Sequence, residues 1–259
     1  MLSIDGRTIL LTGAAGGIGT AIARQLAANG ANLVLVDIQA DPLEALGKEL
    51  GHSAIAVVAD ITEDQQVARA VDAAVGRFGG IDVVVANAAI DAIEPIREMA
   101  PATFERVVQV NLIGTYRTVH AALPAMEGRN GHILIINSLG SVVAPPFMSA
   151  YAASKAGLTG LADSLRLKLR GSGTTVGMLY FGGVDTEHFR TGMSHPLMLR
   201  ANARIPKSFT KPASTAAAAT AVERAIEHRT RRAIFPRSNA PVLWAPRLLQ
   251  RLMERRITT

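Results

Sequence analysis

The sequence predicts a doubly wound α/β sandwich of three layers, with about seven parallel strands in one domain. Three observations carry this expectation. Short, almost uninterrupted apolar runs recur along the chain, segments of helical period separate them, and a glycine-rich turn follows the first run. Strands that are apolar at every position are buried on both faces, and strands alternating with helices build parallel βαβ units.

The runs are TILLT (8–12), NLVLVD (32–37), AIAVVA (54–59), IDVVVA (81–86), HILIIN (132–137), TVGMLY (175–180) and AIF (233–235). Between them, TAIARQLAAN, EDQQVARAVDAAVGRF, TFERVVQVNLIGTYRTVHAALPAM and SKAGLTGLADSLRLKLR place apolar residues at helical spacing. The alanine run in STAAAATAVERAIEH reads as helix because alanine is the best helix former. No internal repeat or low-complexity block interrupts the series.

A chain of 259 residues fits one α/β domain with a large core. It contains no cysteine, so no disulfide or thiolate metal site is expected, and a reducing, cytoplasmic setting follows. The start, MLSIDGRTILLTG, lacks the pattern of a secretory signal, and no stretch nears 18 uncharged apolar residues. The net charge of +6 is local: residues 229–259 hold eight arginines against one glutamate, which leaves the preceding residues with 19 basic and 20 acidic groups. A neutral body with 4% aromatic residues argues against a nucleic-acid partner. The expected organisation is a domain over residues 1–240 followed by a basic amphipathic extension over 241–259.

TGAAGGIG (12–19) follows the first strand and opens a helix. Gly13, Gly17 and Gly19 allow a tight turn, close approach of a pyrophosphate to the backbone, and packing of helix on strand. The helix N-terminus then presents free N–H groups to the anion, with Ile18 on the same turn. The motif's place after a strand and before a helix leads us to expect a Rossmann-type dinucleotide site rather than a plain strand-to-helix turn. It is not a P-loop, since no Lys-Ser/Thr pair follows. Asp37 ends the second strand, 18 residues past Gly19, where a carboxylate accepts from adenosine ribose hydroxyls and repels a 2′-phosphate. Ala15, Gly16, Ile38 and Gln39 nearby are uncharged, so NAD is expected over NADP. Asp60 and Ile61 follow the third strand and reach toward adenine; Asp60 can equally cap the next helix.

YAASK (151–155) places one of three tyrosines four residues ahead of a lysine. On a helix this spacing puts both side chains on one face. An ammonium about 5 Å away at an effective dielectric of about 20 favours the phenolate by roughly 3 kcal/mol, so Lys155 is expected to make Tyr151 a usable acid and base near neutral pH. An interfacial tyrosine beside a solvated lysine reads equally well from these two residues alone.

Taken together, TGAAGGIG, Asp37, Asp60, ANAA (86–89), Asn111, Ser138 and YAASK resemble the short-chain dehydrogenase/reductase family, in that order and across the chain to about residue 190. The resemblance implies a serine 13 residues before the tyrosine, which is Ser138; Ser141 is a nearby alternative. It further implies that Tyr151 exchanges a proton with a carbonyl oxygen, that Ser138 holds the same oxygen, and that Lys155 binds the nicotinamide ribose. Asn111 would hold a water in a proton relay, and Asn87, Val184 and Thr186 would line the cofactor. The implied activity is an NAD(H)-dependent interconversion of a secondary alcohol and a ketone.

Departures from the family pattern are instructive. ANAA stands where NNAG is common, Phe181 stands where a proline precedes glycine, and the frequent C-terminal Val-Asp-Gly-Gly is absent. Residues 187–212 are expected to form a substrate lid with flexible methionines and almost no converging charge, which suggests a moderately bulky, largely apolar substrate such as a steroid, a hydroxyacyl chain or a related lipid-like alcohol. His188 and His195 read as loop histidines, and no residue spacing suggests a metal site. In the tail, Leu248, Leu249, Leu252 and Met253 recur at helical spacing near Trp244, with Arg247, Arg251, Arg255 and Arg256 around them. Such a segment packs on the body or lies weakly on an anionic membrane surface. The resemblance also implies a homodimer or homotetramer through residues 102–127 and 150–170. The alternative to an enzyme is a non-catalytic NAD-sensing or scaffold protein on the same fold.

Overall fold

One parallel sheet, ordered β3-β2-β1-β4-β5-β6-β7, organises the chain. The computed structural model describes residues 1–203, 211–245, 250, 251 and 254. Its strands are β1 (Thr8–Thr12), β2 (Asn32–Asp37), β3 (Ala54–Val58), β4 (Val83–Ala86), β5 (His132–Ser138), β6 (Thr175–Phe181) and β7 (Arg232–Phe235). Flanking them are helices α1 (Gly17–Ala28), α2 (Ala40–Leu50), α3 (Asp64–Phe78), α4 (Pro101–Val108), α5 (Thr115–Ala122), α6 (Ser149–Lys168), α7 (Glu187–Ser194), α8 (Pro196–Asn202), α9 (Thr215–Glu227) and α10 (Pro241–Trp244). The expected fold class is therefore the observed one.

The apolar runs are explained by burial on both faces. Ile9 and Leu11 of β1 point into a cluster with Ile22 and Leu26 of α1, Leu43 of α2 and Val222 of α9. Leu10 between them points the other way, into a cluster with Val71 of α3, Val119 of α5 and Leu158 of α6. β3 is the sheet's edge and is only partly covered; Val58 is exposed. The alanine run forms α9 as expected, capped by the Ser214 hydroxyl, which accepts from the Ala217 N–H.

The segment read as one helix from 103 to 126 differs. A wide π-helical turn, Gln109–Gly114, separates α4 from α5. Such turns occur mainly where function bends a helix. Here the widened turn contains Asn111, whose side chain bonds the chain after β4 rather than its own helix.

Because all seven strands are parallel, their C-terminal ends share one edge. The chain reverses its direction of winding between β1 and β4, which opens a crevice at that edge. Beyond β7 the chain returns over the same edge. There the Ala144 N–H donates to Gln250 Oε1 at 3.0 Å, so the described part of the tail rests on the loop after β5. The residues that gave the tail its amphipathic pattern, Arg247, Leu248, Leu249, Leu252, Met253, Arg255 and Arg256, lie outside the described residues. Among the described residues, no helix is long and apolar enough to cross a membrane.

Candidate active site

The crevice holds a cavity of about 1560 Å³. Gly13, Gly17, Ile18, Gly19, Asp37, Asp60, Ile61, Asn87, Ser138, Tyr151, Lys155, Val184 and Thr186 all line it. Of the catalytic and cofactor-binding residues expected from the sequence, Asn111 alone is not part of this lining.

Two glycines shape the cradle. Gly13 has φ +67°, and a Cβ there would meet the Ala88 Cα at 2.8 Å; a Cβ at Gly19 would lie 1.9 Å from the Gly13 carbonyl oxygen. Neither position tolerates a side chain. The N-cap of α1, Gly16, contributes no side-chain bond, so the helix N-terminus faces the cavity with its dipole uncapped. Asn87 fixes the loop from beneath, its Nδ2 donating to the carbonyls of Thr12 and Gly13, each at 3.1 Å. The Ala86 and Ala89 departures leave this clamp intact.

Asp37 is 8% exposed and accepts N–H bonds from Ala15 and Gln39, both at 3.0 Å. Asp60 does not cap α3, whose N-cap is Glu63. Instead it accepts from the Thr62 N–H and hydroxyl and pairs with Arg106 at 3.1 Å. Burial opposes its ionisation, but those donors hold the carboxyl below its usual range. A cavity wall made of a helix N-terminus, with a carboxylate at the end of the neighbouring strand, fits a dinucleotide.

On the other side of the crevice, Ser138 ends β5 and Tyr151 and Lys155 face it from α6. Ser138 Oγ accepts from the Gly140 N–H at 3.0 Å, and the serine acts to lower the pKa of the neighbouring phenol. Ser141 donates to the Ser138 carbonyl at 2.6 Å and does not line the cavity. The lysine is 3% exposed and donates from Nζ to the Ile136 carbonyl at 3.0 Å.

One electrostatic expectation is overturned. Tyr151 is not made more acidic; its pKa is pushed up to about 12, first by burial and also by the negative charge of Asp91, against the opposing bond from Ser138. Burial likewise brings Lys155 down to about 8. The spacing gives the attraction of the ammonium for the phenolate but not the cost of taking the phenol out of water. In the fold both side chains lose solvent, and desolvation is the largest influence on each.

Asn111 spends its carboxamide on the protein. Its Oδ1 accepts the Ile90 N–H at 2.8 Å, while Nδ2 donates to the Ile90 carbonyl at 2.8 Å and to Ser154 Oγ at 3.0 Å. Ser154 in turn donates to the Tyr151 carbonyl at 2.8 Å. Asn111 thereby ties the loop after β4 to the turn of α6 that carries the tyrosine.

Phe181 keeps β6 extended to its last residue and packs edge-on against Phe235. The chain turns afterwards at Gly182 and Gly183. Thr186 caps α7 by accepting the Phe189 N–H at 3.1 Å, and its methyl lies close over Gly17. From the lid, Phe189, Met193 and Met198 supply apolar lining.

Four contributors were not anticipated. Asn239 and Val242 line the cavity from beyond β7. Asp91 and His188 also line it, and His188 Nε2 stands 3.0 Å from Asp91 Oδ1. The bond to Asp91 raises the His188 pKa. The lid thus does bring charge to the cavity, contrary to expectation. Sequence gave no signal for this pair, because 97 residues separate its members.

Comparison with known proteins agrees with this geometry. A short chain dehydrogenase family model matches residues 7–195. Oxidoreductase UcpA of Escherichia coli (strain K12) is 36% identical over 213 residues, covering 80% of this chain and 79% of that protein. D-beta-hydroxybutyrate dehydrogenase of Rhizobium meliloti is 36% identical over 186 residues, with 70% and 72% covered. The crystal structure of a short chain dehydrogenase/reductase from Burkholderia phymatum in complex with NAD superposes with a TM-score of 0.84 at 26% identity, covering 100% of this chain and 98% of that one. The glycine cradle, the Ser138–Tyr151–Lys155 cluster and the family match together identify the chain as a member of the short-chain dehydrogenase/reductase family.

Proposed function

We propose that the protein is an NAD(H)-dependent oxidoreductase that interconverts a secondary alcohol and a ketone on a moderately bulky, largely apolar substrate. The observation that carries this reading is the convergence of Ser138, Tyr151 and Lys155 on one wall of a cavity whose other wall is a dinucleotide cradle. Bound in that cradle, the nicotinamide supplies or accepts the hydride.

The protein's own residues handle the proton and the charge. A phenol with a pKa near 12 is protonated at neutral pH, so Tyr151 is set to donate to a carbonyl oxygen during reduction and to recover the proton in the reverse direction. Ser138 stabilises the same oxygen as charge gathers on it. Lys155 holds the ribose hydroxyls and favours the phenolate once its ammonium is turned toward the tyrosine. Asn111 acts as a positioning residue through Ser154 and Ile90.

Asp37 supports NAD over NADP, since it is buried among backbone donors with no lysine or arginine partner among the described residues. Exposed Tyr116 on α5 and Leu167 on α6 support assembly into a homodimer or homotetramer through those helices. The test is a screen of secondary alcohols graded in size, with NAD and with NADP, followed by the absorbance of the reduced nicotinamide. Turnover with NAD on bulky apolar alcohols supports the reading; no turnover with either cofactor removes it.

A further inference from the structure

We propose that Asp91 makes the substrate compartment selective for uncharged alcohols and against hydroxy acids. This deepens the reading given above and rests on it.

The charged residues that line the cavity fall into two groups among the described residues. Asp37, Asp60 and Arg106 lie around the cradle, and Asp91, Lys155, Glu187 and His188 lie around the tyrosine. In the second group each cation already has a partner in the protein. Lys155 is buried with Nζ on the Ile136 carbonyl, and His188 is already paired with Asp91 at 3.0 Å. Arg190, one residue beyond the cavity-lining Phe189, is engaged by Asp185 at 2.7 Å.

Asp91 itself is well placed to act on a bound molecule. Its side chain is 21% exposed, so water screens it poorly. The next residue, Ala92, packs with Tyr151 against the same apolar cluster of Met99, Val107 and Ala150, which keeps the carboxylate beside the tyrosine. The negative charge of Asp91 is felt at the phenol. A substrate carboxylate a few bonds from the reacting carbon enters the same field and is repelled. A neutral ester is not repelled, and an amide N–H or second hydroxyl can donate to Asp91. His188 offsets part of this charge, but its side chain is 71% exposed and more strongly screened than that of Asp91.

The test uses one carbon skeleton in three charge states: 3-hydroxybutyrate, its methyl ester and its amide, with NAD and the intact protein. The wild type should prefer ester and amide over the acid by about tenfold in kcat/KM, as expected for a like charge about 6 Å away in a half-screened site. Asp91→Asn should shrink the preference to within about threefold, and His188→Gln should widen it. Equal use of acid and ester by the wild type, or a preference unchanged in Asp91→Asn, overturns the proposal.

A second readout needs no turnover. Thermal unfolding is followed with NADH and either acetoacetate, its methyl ester or acetoacetamide. Stabilisation by the neutral pair above that by the acid supports charge selection even if no alcohol is oxidised, a result that would count against the enzymatic reading instead. Equal stabilisation by all three, or none by the neutral pair, overturns the selection itself.

Discussion

Lys155 Nζ lies 5.8 Å from the centre of the Tyr151 ring, one helical turn away on α6. That spacing follows from four residues of helix, but the electrostatic outcome does not. The ammonium is held by the Ile136 carbonyl rather than by the phenol, and both groups are displaced from their ordinary acidities by burial. The fold thus stores a charged lysine where it is costly to keep one.

That cost has a measurable sign. In the fold the Lys155 pKa is about 8 against 10.5 in the unfolded chain, so below about pH 8 both states are protonated and the fold bears the full penalty. The penalty is relieved as pH rises from about 8 to about 10.5. Lys155→Met should therefore raise the melting temperature at pH 7 by a few degrees, about 1 to 2 kcal/mol after the Ile136 carbonyl loses its donor, while abolishing turnover. Calorimetry at pH 7 and pH 10 checks it, with the gain shrinking at the higher pH.

His132 gives the same sign in an acidic window. It is fully buried at the start of β5, and burial, with the nearby charge of Arg229, brings its pKa to about 4. The unfolded chain binds a proton near 6.5 that the fold refuses, so stability falls as pH drops from about 6.5 to about 4. His132→Gln should flatten that loss by up to about 3 kcal/mol. Urea unfolding at pH 7 and pH 4.5 measures the difference.

Asp37→Ser should move cofactor preference toward NADP by about ten- to a hundredfold in the ratio of kcat/KM values, since it removes the carboxylate that repels a 2′-phosphate. An unchanged ratio would separate Asp37 from cofactor choice.

Asn111→Ala removes the side-chain partner of the Ile90 N–H and carbonyl and the donor to the Ser154 hydroxyl, which keeps its bond to the Tyr151 carbonyl. Loss of so many buried bonds should destabilise the protein by about 2 to 4 kcal/mol, read by urea unfolding. Turnover should fall while the KM for NAD holds, because the tyrosine's turn loosens and the cradle does not.

Much of this is legible in the sequence. TGAAGGIG, Asp37 and the Ser138–Tyr151–Lys155 spacing are local patterns, each fixed by one turn or one element, and the apolar runs report burial on both faces directly. What escaped the sequence depends on long-range packing. The widened turn at Asn111 answers to Ile90, 21 residues earlier. The Asp91–His188 pair and the reach of Asn239 and Val242 into the cavity arise only when the lid and the segment after β7 fold over the sheet edge. The tyrosine's acidity is hidden for a related reason: spacing gives a distance, whereas desolvation comes from everything packed around the phenol.

The central claim is a proton exchanged at one hydroxyl. The most direct measurement is the rate of ketone reduction by Tyr151→Phe beside its affinity for NADH. The account predicts a rate at least about a thousandfold below wild type, within the span that a positioned acid contributes, with NADH bound as tightly as before. A variant that retains wild-type turnover would contradict it.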